Sequence, residues 1–156
     1  MTEAAVFAAF PTLKTPRLVL RQIRPEDADA VYRLFADDEV TRYYDLDTFT
    51  DPAQARDLIE RFQRRFDSQI GLRWGLALAN APADLIGTCG YNIWIRPAQR
   101  GLLGYDLAPG HWGRGLMREA LAAILAFGFS TMQLNRVEAL TFPQNAASRQ
   151  LLAKLG

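Results

Sequence analysis

Three apolar stretches follow one another between residues 72 and 107, and their close spacing limits the folds that this chain can adopt. They are Leu72–Ala79, Leu85–Ile95 and Leu102–Leu107, and each has the length and the bounding turn residues of a strand. Parallel neighbours need a crossover of about a dozen residues or more, and these connections are much shorter. The spacing therefore predicts a meander of three antiparallel strands.

Amphipathic patterns on either side of the meander predict helices and two further strands. Alternation of apolar and polar residues indicates a half-buried strand, and a proline that follows a capping or extended residue favours the start of a helix. The predicted elements outside the meander are a strand over Arg17–Ile23, helices that begin at Pro25 and Pro52, a helix from about Arg114 to Thr131, a strand over Arg136–Phe142 and a helix over Asn145–Leu155.

The order of these elements is β-α-α-β-β-β-α-β-α, which indicates a mixed α/β (α+β) fold with helices covering the sheet. A length of 156 residues suits one domain with a core of its own, so residues 1–156 are predicted to form a single domain. Residues 1–12 precede the first strand and are expected to be an N-terminal extension, either loose or packed as an ordinary segment.

The composition excludes several classes of function. The chain carries 18 basic and 17 acidic residues, so it has no strong overall field to attract nucleic acid or an anionic membrane. Cys89 and His111 are its single cysteine and histidine, which argues against disulfides and metal sites. The apolar run Ala120–Phe129 is too short to span a bilayer, and no basic stretch precedes Ala4–Phe10 as in a secretory signal. We therefore expect a cytoplasmic domain without metal, nucleic-acid or membrane partners.

The segment Leu103–Ala120 carries the clearest indication of chemistry. A predicted strand ends there in a Pro-Gly turn, and Gly113 and Gly115 lead directly into a predicted helix. Glycine lets a ligand approach the backbone closely, and the N–H groups of a first helical turn have no intrahelical partners and favour anions. The segment is a candidate seat for a diphosphate, although two glycines can also form no more than a tight turn.

Two familiar phosphate-binding motifs fit this segment poorly. A P-loop needs Gly-Lys followed by Ser or Thr, and the chain contains no such tripeptide. A dinucleotide fingerprint needs a third small residue where Arg118 stands, and it belongs to a parallel βαβ unit.

Four pieces of sequence, spread in order over nearly the whole chain, form a more specific pattern than the two glycines alone. They are Thr15–Arg21, Gly104–Pro109, Trp112–Ala120 and the run from Asn135 through Asn145 and Ser148 to Gly156. Together they resemble the GNAT N-acetyltransferases, most closely the RimJ/RimL type, which acetylates protein N-termini. The resemblance implies a GNAT fold and an enzyme that moves an acetyl group from acetyl-CoA to a primary amine by direct attack in a ternary complex.

The resemblance also implies which residues bind acetyl-CoA. The family's diphosphate loop maps onto residues 112–117, where backbone amides bind the phosphates. The backbone of the preceding strand would pair with the pantetheine arm, and a bulge in that strand would part it from Val137–Phe142 to admit the thioester. Asn145 would bind the pantetheine amides from the last helix. The residues expected to contact acetyl-CoA are Asp106, Leu107, Ala108, Trp112, Gly113, Arg114, Gly115, Leu116, Met117, Asn145 and Ser148.

The implied chemistry assigns roles to a few side chains. Acyl transfer to nitrogen needs a neutral amine, an N–H group that stabilises the oxyanion and an acid that protonates the departing thiolate. Many relatives use a tyrosine seven residues after the asparagine as this acid, but Leu152 stands there, so Ser148 becomes the candidate. Glu138 is the first candidate for the base and Asp106 the second, and both also suit structural roles. Glu119 is expected to cap its helix or to form a salt bridge.

Proton chemistry bears on the acceptor. At pH 7 an α-amine is roughly 10–20% neutral and a lysine amine only about 0.04% neutral, from their ordinary pKa values. A site without a strong base therefore favours a protein N-terminal α-amine or a small-molecule amine of low pKa. Aromatic side chains are the candidate acceptor contacts, and they are Tyr43, Tyr44, Trp74, Tyr91 and Trp94.

The sequence ends at Gly156, where members of the family typically continue into a further β-hairpin. This predicts an unpaired edge on the strand Val137–Phe142 and a possible homodimer. It also keeps two alternatives open, namely a non-catalytic acyl-CoA-binding or interaction module and an unrelated α/β domain.

Overall fold

The computed structural model describes residues 3–156 and has the predicted order of principal elements. Residues 1 and 2 of the predicted extension lie outside the described part. The helices are α1 (Glu3–Val6), α2 (Ala28–Phe35), α3 (Asp38–Thr41), α4 (Pro52–Asp67), α5 (Leu116–Ser130) and α6 (Ala146–Leu155). The strands are β1 (Leu13–Lys14), β2 (Leu18–Gln22), β3 (Leu72–Leu78), β4 (Leu85–Ile95), β5 (Arg100–Leu107) and β6 (Arg136–Ala139). Short 3-10 turns occupy Pro25–Asp27, Arg96–Ala98 and Pro109–His111.

The described strands form one sheet in the order β1-β2-β3-β4-β5-β6. Neighbours from β1 to β5 are antiparallel, which confirms the predicted meander. Strands β5 and β6 are parallel because the long connection through α5 serves as their crossover. They pair only over Arg100–Leu103 and Arg136–Ala139, so β5 continues past Leu103 without β6 beside it. The interpretation of one strand over Arg136–Phe142 was therefore wrong beyond Ala139.

The bulge near the point where β5 and β6 separate lies in β4 and not in β5. The register between β4 and β5 shifts between Tyr91 and Ile93, which leaves Asn92 as the extra residue. The predicted bulge in β5 is thus corrected to a bulge one strand away. An extra residue reverses the alternation of side chains along a strand, and Asn92 consequently turns toward Arg73 and Arg65, whose guanidinium groups donate to its Oδ1.

Two apolar cores lie on the two faces of the sheet. One includes α5 residues such as Leu121 and Ile124, and the other includes Phe35 of α2 with Leu58 and Phe62 of α4. Helix α4 begins as predicted, with Pro52 in its first turn and the Asp51 side chain accepting from the N–H of Ala53. Helices on both faces confirm the predicted fold class.

The segment before β1 packs against the core. Val6 is buried, and Phe7 and Phe10 contact Phe66 with ring centroids 5.2 and 5.0 Å apart, respectively. Phe10 also meets Trp74 edge-on. Val6, Phe7 and Phe10 therefore hold this segment against the core.

A membrane span is not present among residues 3–156, because no helix there has the length and apolar character required to cross a bilayer.

Candidate active site

A cleft of about 1210 Å³ opens where β5 and β6 separate. Its walls are β5 from Leu102 to Leu107, the loop before α5, the chain after β6, helix α6, one face of α4 and the segment that follows α3. Because pairing with β6 ends at Leu103, the edge of β5 from Gly104 onward faces this cleft. The splayed pair of strands predicted from the resemblance is therefore present, apart from the bulge in β5.

The loop before α5 has the geometry of an anion seat. Gly113 and Gly115 have φ angles of 73° and 74°, in the left-handed region that glycine adopts without strain. Gly115 is the N-cap of α5, and no side chain caps this helix. The N–H groups of the first turn are thus left for an external acceptor, as a bound phosphate requires.

The side chains around this loop fix its backbone. Leu116 and Met117 are buried in the core, so their contribution to the cleft is their backbone. Trp112 is half exposed, and its Nε1 donates to the Leu107 carbonyl oxygen over 2.7 Å. The Ala108 N–H donates to Ile86. The structure therefore already uses two backbone groups of the stretch Asp106–Ala108 that was predicted to pair with pantetheine.

Glu119 links the loop to the start of the sheet. Its carboxylate accepts from Thr15 Oγ1 at 2.5 Å and from the Arg17 N–H and Nε at 3.0 and 2.9 Å. Arg17 Nη1 also donates to the carbonyl oxygen of Arg114 within the loop. Partial burial raises the pKa of Glu119, and these hydrogen bonds outweigh it and hold the pKa below its ordinary value. The predicted salt-bridge role of Glu119 is confirmed.

Ser148 lies in the cleft on the first turn of α6 and is buried. Its Oγ is hydrogen-bonded to the hydroxyl of Tyr105 on β5. Its N–H donates to Asn145 Oδ1 over 3.1 Å, so Asn145 caps α6. Burial raises the pKa of Tyr105 above its ordinary value, and the bond to Ser148 opposes this rise. Tyr105 was not among the predicted site residues.

Asp106 belongs to a buried polar cluster beneath the cleft. Its carboxylate accepts from Arg73 Nη2 at 2.9 Å, from the Thr88 N–H and Oγ1 at 3.0 and 2.7 Å, and from the Tyr44 hydroxyl at 3.2 Å. Burial raises the pKa of Asp106, while Arg73, Thr88 and Tyr44 oppose the rise. Every oxygen is engaged, so the side chain of Asp106 is structural and does not suit the second-choice role of a base.

The geometry does not support Glu138 as the base. Its carboxylate forms ion pairs with Arg136 Nε at 2.7 Å and Arg100 Nη1 at 3.7 Å, and it lies outside the lining of the cleft. Alternation along β6 places Val137 and Ala139 against the core and Glu138 between the two arginines. This corrects the expectation that Glu138 faces the thioester.

The five aromatic acceptor candidates divide into two groups. Trp74, Tyr91 and Trp94 are buried in the core below the sheet and do not line the cleft, which corrects their assignment to the acceptor. Tyr43 and Tyr44 line the cleft. The ring of Tyr43 lies 6.5 Å from that of Phe142 across the opening, and burial raises the pKa of Tyr44 above its ordinary range.

The cleft residues that were not predicted from the sequence include Arg61, Arg65, Arg73, Asn92 and Tyr105. Arg73 had a detectable signal, because it is a charge inside a strand whose neighbours are otherwise apolar. Cys89 lies in the core, as its position in the middle of a strand indicates. Among residues 3–156 no group of three metal-ligating side chains is brought together.

Comparisons with known proteins agree with this geometry. The family model described as Acetyltransferase (GNAT) domain matches residues 17–156. The uncharacterized N-acetyltransferase YoaA of Bacillus subtilis (strain 168) is 39% identical over 147 residues, covering 94% of this chain and 82% of its own length. The uncharacterized N-acetyltransferase p20 of Bacillus licheniformis is 38% identical over 144 residues, which are 92% of this chain and 80% of the relative. The chain therefore belongs to the GNAT acetyltransferase family, and it is an acetyltransferase enzyme.

A solved structure shares this fold. The structure of RimL, a ribosomal L7/L12 alpha-N-protein acetyltransferase in complex with coenzyme A, superposes with a TM-score of 0.83 at 15% identity, covering 92% of this chain and 82% of that one. At this identity the likeness concerns the fold. Donation of the acetyl group by acetyl-CoA to an amine is a general feature of this family.

Proposed function

We propose that this protein transfers the acetyl group of acetyl-CoA to the α-amine of a protein N-terminus, as enzymes of the RimJ/RimL type do, or to a small-molecule amine of low pKa. The observation that carries the proposal is the uncapped N-terminus of α5 at the end of a gap between two parallel strands. An anion seat at one end of an open strand edge suits a diphosphate joined to an extended, uncharged arm.

The donor would be held mainly by backbone groups. Residues 112–117 would bind the diphosphate through the N–H groups around Gly113, Gly115 and the first turn of α5. The backbone of Asp106, Leu107 and Ala108 would lie along the pantetheine arm, apart from the Leu107 carbonyl and the Ala108 N–H, which are engaged within the protein. Asn145 would donate from its Nδ2, because its Oδ1 caps α6. The residues present fit acetyl-CoA, and its thioester supplies the activated acetyl group.

Ser148 is proposed to donate a proton to the departing thiolate. Its hydroxyl lies in the cleft, and the Tyr105 hydroxyl bonded to it can return a proton to Ser148 and take up in exchange the proton that the acetylated amine releases. The carboxylates that line the cleft among residues 3–156 are Glu39, Asp45 and Asp106, and Asp106 is fully engaged. A weak base favours an amine that is already partly neutral at pH 7, which is the reason for preferring an α-amine.

The first experiment measures thiol release from acetyl-CoA with a panel of N-terminal peptides and small amines. We expect turnover with α-amines above that with lysine side chains of acetylated peptides. Ser148→Ala should lower kcat by about 100-fold or more, the usual contribution of a general acid. Tyr105→Phe should reduce kcat less, because Ser148 keeps its own proton. Equal turnover by wild type and Ser148→Ala would refute the role of Ser148.

A calorimetric titration with acetyl-CoA distinguishes this proposal from the alternative of a non-catalytic module. Binding without thiol release from any amine supports the module, and absence of binding refutes both.

We also propose that the protein is located in the cytoplasm and that it forms a homodimer. The edge position of β6 and the 85% exposure of Leu140 favour a homodimer. Sedimentation equilibrium of the wild type at micromolar concentration tests it, and a monomer there contradicts it.

A further inference from the structure

One face of α4 presents two arginines to the cleft. Leu58, Arg61, Phe62 and Arg65 follow the helical spacing of three and four residues, and all four line the cleft. Leu58 and Phe62 are buried in the core, as this face of the helix requires. The two arginines are therefore set among apolar side chains at the wall of the cleft.

Arg65 is half-buried, and within the described part of the chain no carboxylate balances its positive charge. Its Nη1 donates to Asn92 Oδ1 over 3.2 Å, and its guanidinium lies 5.7 Å from the centroid of the Phe62 ring. Neither Arg65 nor Arg61 forms an ion pair with a described carboxylate. A charge withdrawn from water in this way favours an anionic partner.

Arg73 provides a direct contrast at the same oxygen. Its Nη1 also donates to Asn92 Oδ1, over 2.9 Å, but its Nη2 is paired with Asp106 at 2.9 Å. The charge of Arg73 is thus neutralised inside the protein and that of Arg65 is not. Burial, together with the positive charges of Arg73 and Arg61, lowers the pKa of Arg65, and an anion bound there would relieve this repulsion.

The position of Arg61 and Arg65 in the cleft indicates which of the two substrates, acetyl-CoA or the amine acceptor, would supply the anion. A Cβ on Gly104 would overlap Arg73 Nη1 and Asn92 Nδ2, so these two side chains lie directly over Gly104, the first residue of β5 beyond its pairing with β6. Arg65 is bonded to the same Asn92 side chain. The diphosphate seat at Gly113 and Gly115 lies at the opposite end of the free edge of β5. The pantetheine arm between them has no charge, so the donor offers no anion near Arg65.

We propose that Arg65, together with Arg61, binds an anionic group carried by the amine acceptor close to its amine. This inference rests on the proposed function, because it assigns the acceptor's place in the same cleft. A guanidinium binds a carboxylate or a phosphate through two parallel hydrogen bonds. The acceptor class is therefore an amine with an acidic group nearby, such as a peptide with an acidic second residue or a small anionic amine.

The first test compares matched acceptors. One arm uses the tripeptide amides Ala-Asp-Ala and Ala-Asn-Ala, and the other uses phosphoethanolamine and ethanolamine. We expect at least a tenfold higher kcat/KM for the anionic member of one pair, and the pair that shows it identifies the source of the anion. Arg65→Gln should abolish the preference. Arg64→Gln is the matched control, because Arg64 is on the same helix, exposed, and paired with Glu60. Equal kcat/KM within both pairs, together with equal binding of acidic and neutral ligands in the titration below, would overturn the proposal.

A binding measurement separates this inference from the proposed reaction. The coenzyme A complex is titrated with N-acetyl-Ala-Asp-Ala amide, N-acetyl-Ala-Asn-Ala amide and N-acetyl-phosphoethanolamine. Tighter binding of an acidic ligand, weakened about tenfold by Arg65→Gln, supports the subsite even where no acceptor is turned over and the proposed reaction fails. Turnover without any preference in rate or binding refutes the subsite alone. Arg61→Glu, at an exposed position, covers the case in which Arg65→Gln fails to fold, and it should reverse the preference; an unchanged preference in that variant contradicts the proposal.

Discussion

Two polar regions adjoin the part of β5 that lies beyond its pairing with β6. They differ in whether their hydrogen-bonding groups are paired within the protein. Around Asp106 every carboxylate oxygen is taken by Arg73, Thr88 or Tyr44, and both charged side chains of the ion pair are 1% exposed. Gly113 and Gly115 line the cleft with left-handed backbone angles, and no side-chain hydrogen bond caps the helix that follows. The hydrogen bonds of the first region are completed within the protein, whereas the second region leaves N–H groups without an acceptor from a capping side chain.

Residues around a cleft can therefore be divided into those that hold its walls in place and those that are available to bind a ligand. Buried polar groups that bond one another hold neighbouring elements in place, since losing a partner is costly. Here the cluster ties β3, β4 and β5 to the segment that carries Tyr44. The uncapped start of α5 and the guanidinium of Arg65, which has no carboxylate partner among the described residues, are the places where we propose that ligands bind.

Breaking the internal cluster should produce the largest effect. Asp106→Asn leaves Arg73 buried without its counter-charge, and removal of one partner from a buried pair costs about 3–5 kcal/mol. We expect the free energy of unfolding, measured with urea, to fall by this amount. Asp45→Asn, at an exposed position, should change it by less than about 0.5 kcal/mol. An Asp106→Asn variant as stable as the wild type would show that the ion pair contributes nothing.

Altering the ligand-dependent region should affect binding as well as stability. Gly115→Ala places a side chain at a φ of 74°, which costs about 1–2 kcal/mol for an L-residue. If the loop relaxes to avoid this strain, its N–H groups lose their common direction, and the affinity for acetyl-CoA should fall about tenfold. Calorimetry measures this affinity.

Gly110→Ala is the control for this loop. A Cβ there meets no atom within 4 Å, and φ lies outside the left-handed region. Equal acetyl-CoA affinity in the two variants would contradict the role assigned to the backbone at Gly115.

The sequence predicted the elements and the loop well because their signals are local. Strand spacing, the proline at position 52 and the glycines before α5 each act within a few residues, and the family motifs added the expected course of acetyl-CoA. The face of the sheet on which each side chain lies was predicted less well. Tyr91 and Trp94 are three residues apart and should face opposite sides of β4, yet both enter the same core, because the extra residue Asn92 reverses the alternation between them.

The polar cluster needed tertiary information. Arg73 and Asp106 are 33 residues apart and lie on strands that do not pair with each other, so no local pattern links them. The same is true of Tyr105 and Ser148, which meet only because α6 packs beside β5. The predicted strand placed Glu138 where a general base could lie. Only the tertiary structure shows that Arg100 and Arg136 engage its carboxylate.

The link between the loop and the sheet should show a pH dependence of moderate size. The pKa of Glu119 is lowered in the folded state, so its stabilising contribution is complete above its unfolded pKa near 4.3 and is lost as the pH falls through the folded value. We expect Glu119→Gln to be less stable than the wild type by roughly 1–2 kcal/mol at pH 7, the scale of a partly exposed charge-assisted bond. Unfolding free energies from pH 7 to pH 3 should converge, and a constant difference would contradict this origin.

Helix α6 is capped by a side chain and α5 is not. In α6 the capping side chain, Asn145, is also proposed to bind the ligand. Asn145 Oδ1 accepts from the Ser148 N–H, and its Nδ2 is proposed to donate to the pantetheine arm. Asn145→Ser keeps a capping oxygen, so the free energy of unfolding should change by no more than about 0.5 kcal/mol, whereas Asn145→Ala should cost about 1 kcal/mol. Both variants lack Nδ2 and should bind acetyl-CoA more weakly by a similar factor in calorimetry. If Asn145→Ser binds acetyl-CoA as the wild type does, the amide is only a cap, and the free edge of β5 holds the arm without it.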